Sequence, residues 1–135
     1  MRTFLYVLVL LLMITAIGCS GGGVSLPTAP VVGTVTYRGK PLNAGRIIFF
    51  HPSGQAVGAN IAADGSFRLA AFQGKNQVAV ELFGPRRPNP IPDGRPRMLP
   101  GPSLIPDRYT DSRTSGLTLN VKPGENSRAE FTLKD

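Results

Sequence analysis

From residue 31 onward, short stretches of alternating apolar and polar side chains are separated by turn-forming residues roughly every eight to fifteen positions. That spacing predicts an all-β domain. Residues 31–37 are rich in β-branched and aromatic side chains and stop at Gly39-Lys40-Pro41. Residues 46–50 are apolar on both faces, which predicts a central strand. A third strand is expected over 56–62, and Asp64-Gly65 predicts a hairpin turn from it into 66–69. Residues 77–83 set Val78, Val80 and Leu82 on one face. After a long interruption, 117–121 alternates strictly, and Pro123-Gly124-Glu125-Asn126 turns the chain into 128–133. Seven strands without a helix predict a β-sandwich, the arrangement that buries one face of each strand.

The first thirty residues follow a different logic. Met1-Arg2-Thr3 gives a short positive start, and residues 4–17 are apolar apart from Thr15. A charged start, an apolar stretch of about 7–15 residues and small residues at its end describe a secretory signal peptide, here residues 1–18. A membrane-spanning helix needs about 20 apolar residues, and this stretch is shorter and runs directly into Ser20-Gly21-Gly22-Gly23. Ala16-Ile17-Gly18-Cys19 resembles a bacterial lipobox, with Ala16 where Leu is usual. The resemblance implies that Cys19 receives diacylglycerol and becomes the mature N-terminus. Ser20 is similar to the outer-membrane sorting pattern. Two or three acyl chains, at about 0.8 kcal/mol per buried CH₂, make such an anchor essentially permanent. Residues 19–30 then form the lipidated cysteine and its tether, with Gly and Ser giving slack and Pro27 and Pro30 stiffening its end.

Composition agrees with this division. The chain has 135 residues, of which 117 follow the leader, enough for one domain over 31–135. Sixteen Gly and thirteen Pro favour turns over helices. Cys19 is the only cysteine, so no disulfide forms within the chain. The net charge is +7, or +6 once Arg2 leaves with the leader. That balance permits anionic partners without selecting one.

The order of short motifs resembles a known class. Val32-Gly33-Thr34-Val35, Gly39-Lys40-Pro41-Leu42, Gly45-Arg46-Ile47-Ile48-Phe49-Phe50 and Ala63-Asp64-Gly65-Ser66-Phe67 are similar to carboxypeptidase-regulatory-like, or transthyretin-like, domains. Ile105-Pro106-Asp107-Arg108-Tyr109, Thr114-Ser115-Gly116-Leu117 and Gly124-Glu125-Asn126 are similar to small planctomycete lipoproteins. The resemblance implies a seven-stranded transthyretin-like (prealbumin-like) β-sandwich in the cell envelope, and no molecular role. Where that family has a Gly-x-Tyr step into its fifth strand, this chain has Gly74-Lys75-Asn76.

Candidate chemistry is sparse. His51, the only histidine, has no Gly-x-Ser-x-Gly nucleophile turn to serve and no second His or Cys beside it for a metal. Asn60 and Asp64-Gly65 suggest a calcium loop, but Ala62 and Ala71 stand where further oxygen ligands belong. Lys40 and Asn126 are nominal partners for an internal isopeptide bond. A lysine in a Gly-Lys-Pro turn stays solvated and protonated, however, and so is no nucleophile. No cofactor and no catalytic site are expected.

The segment 85–106 stands apart. It holds eight of the thirteen prolines together with Arg86, Arg87, Arg95 and Arg97, and Arg108 lies just beyond. A loop of this length is functional or a spacer. Guanidinium forks suit carboxylate, sulfate or phosphate, so these five arginines are candidate anion-binding residues. Residues 84–107 interleave no aromatics among them, which argues against nucleic acid. Tyr109, Asp111, Thr114 and Ser115 are expected to organise turns, with the Tyr109 ring closing the sandwich edge. The resulting expectation is a non-enzymatic, lipid-anchored envelope module in the outer membrane, serving interaction or structure. The alternative is an anion- or carbohydrate-binding protein that uses the arginine loop toward an anionic polysaccharide or an envelope protein.

Overall fold

A computed structural model describes residues 25–88 and 98–135. The predicted leader 1–18, Cys19, Arg95 and Arg97 lie outside the described residues.

Ten strands form three sheets among the described residues. In chain order they are β1 (Thr28–Tyr37), β2 (Lys40–Pro41), β3 (Arg46–Phe50), β4 (Ala56–Asn60), β5 (Ser66–Phe72), β6 (Gly74–Glu81), β7 (Arg87–Pro88), β8 (Met98–Leu99), β9 (Leu117–Val121) and β10 (Asn126–Leu133). A 3₁₀ turn covers Asp107–Thr110. The seven strands longer than two residues fall on the seven predicted ones, with shifted ends.

β1 is the axis of one sheet. It pairs in parallel with β10 along one side, and antiparallel with β5 and then β2 along the other. The other sheet has the order β4-β3-β6-β9, all antiparallel, so β3 is interior as its two apolar faces predicted. The strands alternate as half-buried strands must. Val31 and Val35 point inward from β1, Ile47 and Phe49 from β3, Phe67 and Leu69 from β5, and Phe131 and Leu133 from β10. Val78 and Val80 of β6 join them in one core shared by both sheets. Phe49 meets Phe67 and Phe131 across the gap at 6.1 and 6.0 Å between ring centroids, the second contact edge-to-face. Such geometry adds about 1 kcal/mol per pair beyond the area buried.

Three expectations are corrected. β1 begins at Thr28, so 28–30 belong to the domain and not to the tether, and Ala29 is fully buried. Pro30, lacking an amide proton, stands before β10 begins, where β1 has a neighbour on one side only. Asp64-Gly65 does form a tight turn, with Gly65 N–H donating to Ala62 O at 2.9 Å. The strands that it joins are not a hairpin, however: β4 pairs with β3 and β5 pairs with β1, in different sheets. The dipeptide fixes a local reversal, and the inward residues on either side decide which sheet each strand enters.

The third correction concerns 85–106, which is no irregular loop at its base. Leu104 N–H donates to Leu82 O and Gly84 N–H to Pro102 O, both at 2.8 Å; Phe83 bridges Ser103, Arg87 pairs with Leu99 and Pro88 with Met98. All these contacts share one antiparallel register. The two legs, 82–88 and 98–104, are thus a hairpin arm that continues β6 beyond the sandwich. Gly101 allows the legs to close, since a Cβ there would lie 2.2 Å from Gly84 O.

Candidate functional site

The arm concentrates what is unusual about the surface. Among the described residues, the exposed large hydrophobics are Phe83, Met98, Leu99 and Leu104, at 45, 57, 45 and 53% exposure. All four sit on its two legs. Arg86 and Arg87 are exposed beside them. The ion pairs among the described residues are Arg38–Asp135 and Arg113–Asp111, both at 2.8 Å, and neither arm arginine takes part in them. In an antiparallel ladder, opposed residues share a face. Phe83, Arg87 and Leu99 therefore fall on one side of the arm, and Arg86, Met98 and Leu104 on the other. Each side offers apolar surface together with a planar cation.

Arg108 stands apart from that group. Its Nη2 donates to the Lys134 carbonyl oxygen and, at 3.0 Å, to the Tyr109 hydroxyl, while its guanidinium lies 4.7 Å from the Tyr109 ring centroid. The Lys134 amide also donates to that hydroxyl, at 2.8 Å. Tyr109 itself is buried in the core. Burial pushes its phenol pKa up, but the Lys134 N–H and the Arg108 guanidinium outweigh this and hold it below the ordinary value. Arg108 thus ties the chain's last strand to the segment before β9. Ser115 has a similar structural role: it is buried, and its hydroxyl donates to Val78 O. β9 pairs with β6 only as far as Val78, whose carbonyl Ser115 holds, and the 3₁₀ turn Asp107–Thr110 also packs against β6.

The remaining candidates are local. Asp64 Oδ1 accepts from Ser66 N–H at 3.0 Å and Ser66 Oγ–H at 2.6 Å, which makes it a turn residue. Asn126 Oδ1 accepts from Lys122 N–H, and Nδ2 donates to Lys122 O and Gly124 O, so its amide caps the turn between β9 and β10. His51 Nδ1 accepts from Ser53 N–H at 3.1 Å and lies 2.8 Å from Ser53 Oγ. Asn76, where the resembled family has Tyr, is fully buried; its Nδ2 donates to Phe72 O and Gly74 O at 2.7 and 2.9 Å and shapes the start of β6.

The two ends of the sandwich differ. Gln73 N–H donates to Pro27 O, so the turns that enter β6 lie at the end where the chain enters β1. β6 runs from there to the opposite end, where Arg46 pairs with Glu81 and the arm departs. β1 spans nine residue steps, about 30 Å, between these ends.

No protein-family model and no curated protein matches the chain. Among solved structures it is similar to a DUF3823 family protein from Bacteroides ovatus, at 16% identity and a TM-score of 0.46 over 79% of this chain and 44% of that one. A DUF3823 family protein from Parabacteroides merdae gives 18% and 0.45 over 82% and 46%. The dioxygenase domain of a dioxygenase carbohydrate-binding protein fusion from Streptomyces sp. SirexAA-E gives 19% and 0.40 over 84% and 83%. The chain spans less than half the length of either DUF3823 protein.

Proposed function

We propose that the protein is a non-enzymatic, lipid-anchored module of the cell envelope, held in the outer membrane through Cys19 and presenting the 82–104 arm to a partner. The observation that carries this reading is the opposition of the two ends. Eight residues separate Cys19 from β1, a reach of roughly 30 Å when fully extended. On this reading the chain enters the domain at the end nearer the anchor, and the arm leaves from the opposite end. The exposed apolar and cationic side chains face away from the anchoring bilayer, toward whatever occupies the space outside it. An anionic polysaccharide or an acidic envelope protein matches Arg86 and Arg87, with Arg95 and Arg97 adding charge by sequence. The order β5-β1-β10 against β4-β3-β6-β9, with β1 and β10 parallel, supports the transthyretin-like assignment of the sandwich.

The test separates anchor from arm. Cys19→Ser is expected to move the protein out of the membrane fraction, or to leave an unprocessed precursor. A processed Cys19→Ser protein that stays in the membrane overturns the anchor. Replacing Arg86, Arg87, Arg95 and Arg97 by alanine is expected to abolish salt-sensitive retention on an anionic polysaccharide while membrane fractionation is unchanged. Exposed charge contacts of this kind are screened over about 8 Å in physiological salt, so retention falls as salt rises.

A further inference from the structure

A second concavity lies at the opposite end from the arm, on the outer face of the β4-β3-β6-β9 sheet. It measures about 290 Å³ and is lined by Phe50, His51, Pro52, Lys75 and Gln77. The ladder explains the grouping: Phe50 pairs directly with Gln77, and Lys75 lies two residues earlier on the same face of β6. His51 and Pro52 follow Phe50 into a turn that rises over this face. The turn is fixed by His51 N–H donating to Gln55 O at 2.8 Å and Gly54 N–H donating to His51 O at 2.9 Å.

The turn also sets the histidine's chemistry. A backbone amide can only donate, so Nδ1, which accepts from Ser53 N–H, carries a lone pair. The proton of the neutral ring therefore sits on Nε2. On that side stands Gly74, where a Cβ would lie 3.5 Å from Nε2 and cover it. Gly74 has φ +107°, which an L side chain rarely adopts. The concavity thus offers the ring of His51, the ammonium of Lys75 and the amide of Gln77. Phe50 and Pro52 supply apolar walls. No carboxylate lines it, and Lys75 takes part in neither ion pair among the described residues.

We infer that this concavity is a binding site for a single carboxylated sugar unit. Its volume lies at the lower limit of ligand pockets, which suits one ring and not an extended chain. One ammonium without a neighbouring acid matches one carboxylate. The Gln77 amide meets ring or hydroxyl oxygens, and the Phe50, His51 and Pro52 rings meet the sugar's C–H face. A bare inorganic anion would leave the apolar walls without a role. The site shares no residue with the arm and does not depend on the lipid anchor.

The probe is galacturonate, titrated calorimetrically into the full-length protein in detergent micelles, with galactose and acetate as its two halves. Galacturonate is expected to bind with a dissociation constant on the order of millimolar, at least tenfold tighter than either half. Lys75→Ala removes an exposed side chain and is expected to weaken binding about tenfold; Lys75→Arg retains most of it. Galacturonate no tighter than acetate, binding insensitive to Lys75→Ala, or no binding at all would each overturn the proposal.

Discussion

Gly33 stands where β1 and β10 approach closely. A Cβ there would lie 2.1 Å from Ala129 O on one side and 2.8 Å from the Phe67 ring on the other. The cause is the irregular pairing of β1 with β10, where the register shifts between Val31 and Gly33 and Arg128 adopts φ +66°. Gly33→Ala must push β10 away or displace Phe67 from Phe131. A loss of about 3 kcal/mol is expected, from overpacking against backbone that cannot yield, read as a lower urea midpoint. The Val32-Gly33-Thr34-Val35 motif made this glycine visible in the sequence. The reason for it was not visible, because Ala129 is 96 positions away. Exposed acids set the low-pH behaviour. Donation from the Arg113 side chain, then from its N–H, lowers the Asp111 pKa from 3.8 to about 2. Arg38 and then Tyr37 lower that of Asp135. A carboxyl whose folded pKa is depressed stabilises the fold above its unfolded pKa, and the effect is lost as pH falls through the folded value. Thermal midpoints should therefore decline between about pH 4 and pH 2, and Asp111→Asn should show a smaller decline than the native chain.

The arm shows what local pattern can and cannot convey. Its eight prolines and four arginines marked 85–106 as unusual, yet proline-rich composition predicts a loop, and no strand periodicity survives in it. The pairing of its legs rests on Gly84 and Gly101, two small residues whose meaning depends on each other's position. Gly101→Ala is expected to part the legs. Hydrogen exchange at the Gly84 and Leu104 amides, which donate to Pro102 and Leu82, should accelerate at least tenfold while core amides keep their protection. The long strands were legible because inward β-branched and aromatic residues repeat at period two. Asp64-Gly65 was legible as a turn but not as a crossover, since the same dipeptide serves either. The groove beside His51 was hidden because Phe50, Lys75 and Gln77 meet only through the β3–β6 register.

Taken as a body, the molecule has a direction. Its chain enters at one end of β1, the carboxylated-sugar groove lies near that end, and the arm stands about 30 Å away at the other. The two proposed binding surfaces therefore face different surroundings, and one ligand of small size cannot occupy both. That polarity was partly legible in the sequence, since the leader and the arginine segment are far apart in the chain. Sequence separation alone would not have set them at opposite ends: an antiparallel return of β6 could have brought the arm back beside the tether. The parallel pairing of β1 with β10 has a further consequence, for the timing of folding. β1 waits for β10, because Val35 meets Phe131 and Tyr37 meets Leu133, each 96 positions further along the chain. Contacts this distant in sequence form slowly. A polypeptide leaving a ribosome N-terminus first stays without its closed core until residue 133 has emerged, and β1 waits unpaired along that side until then.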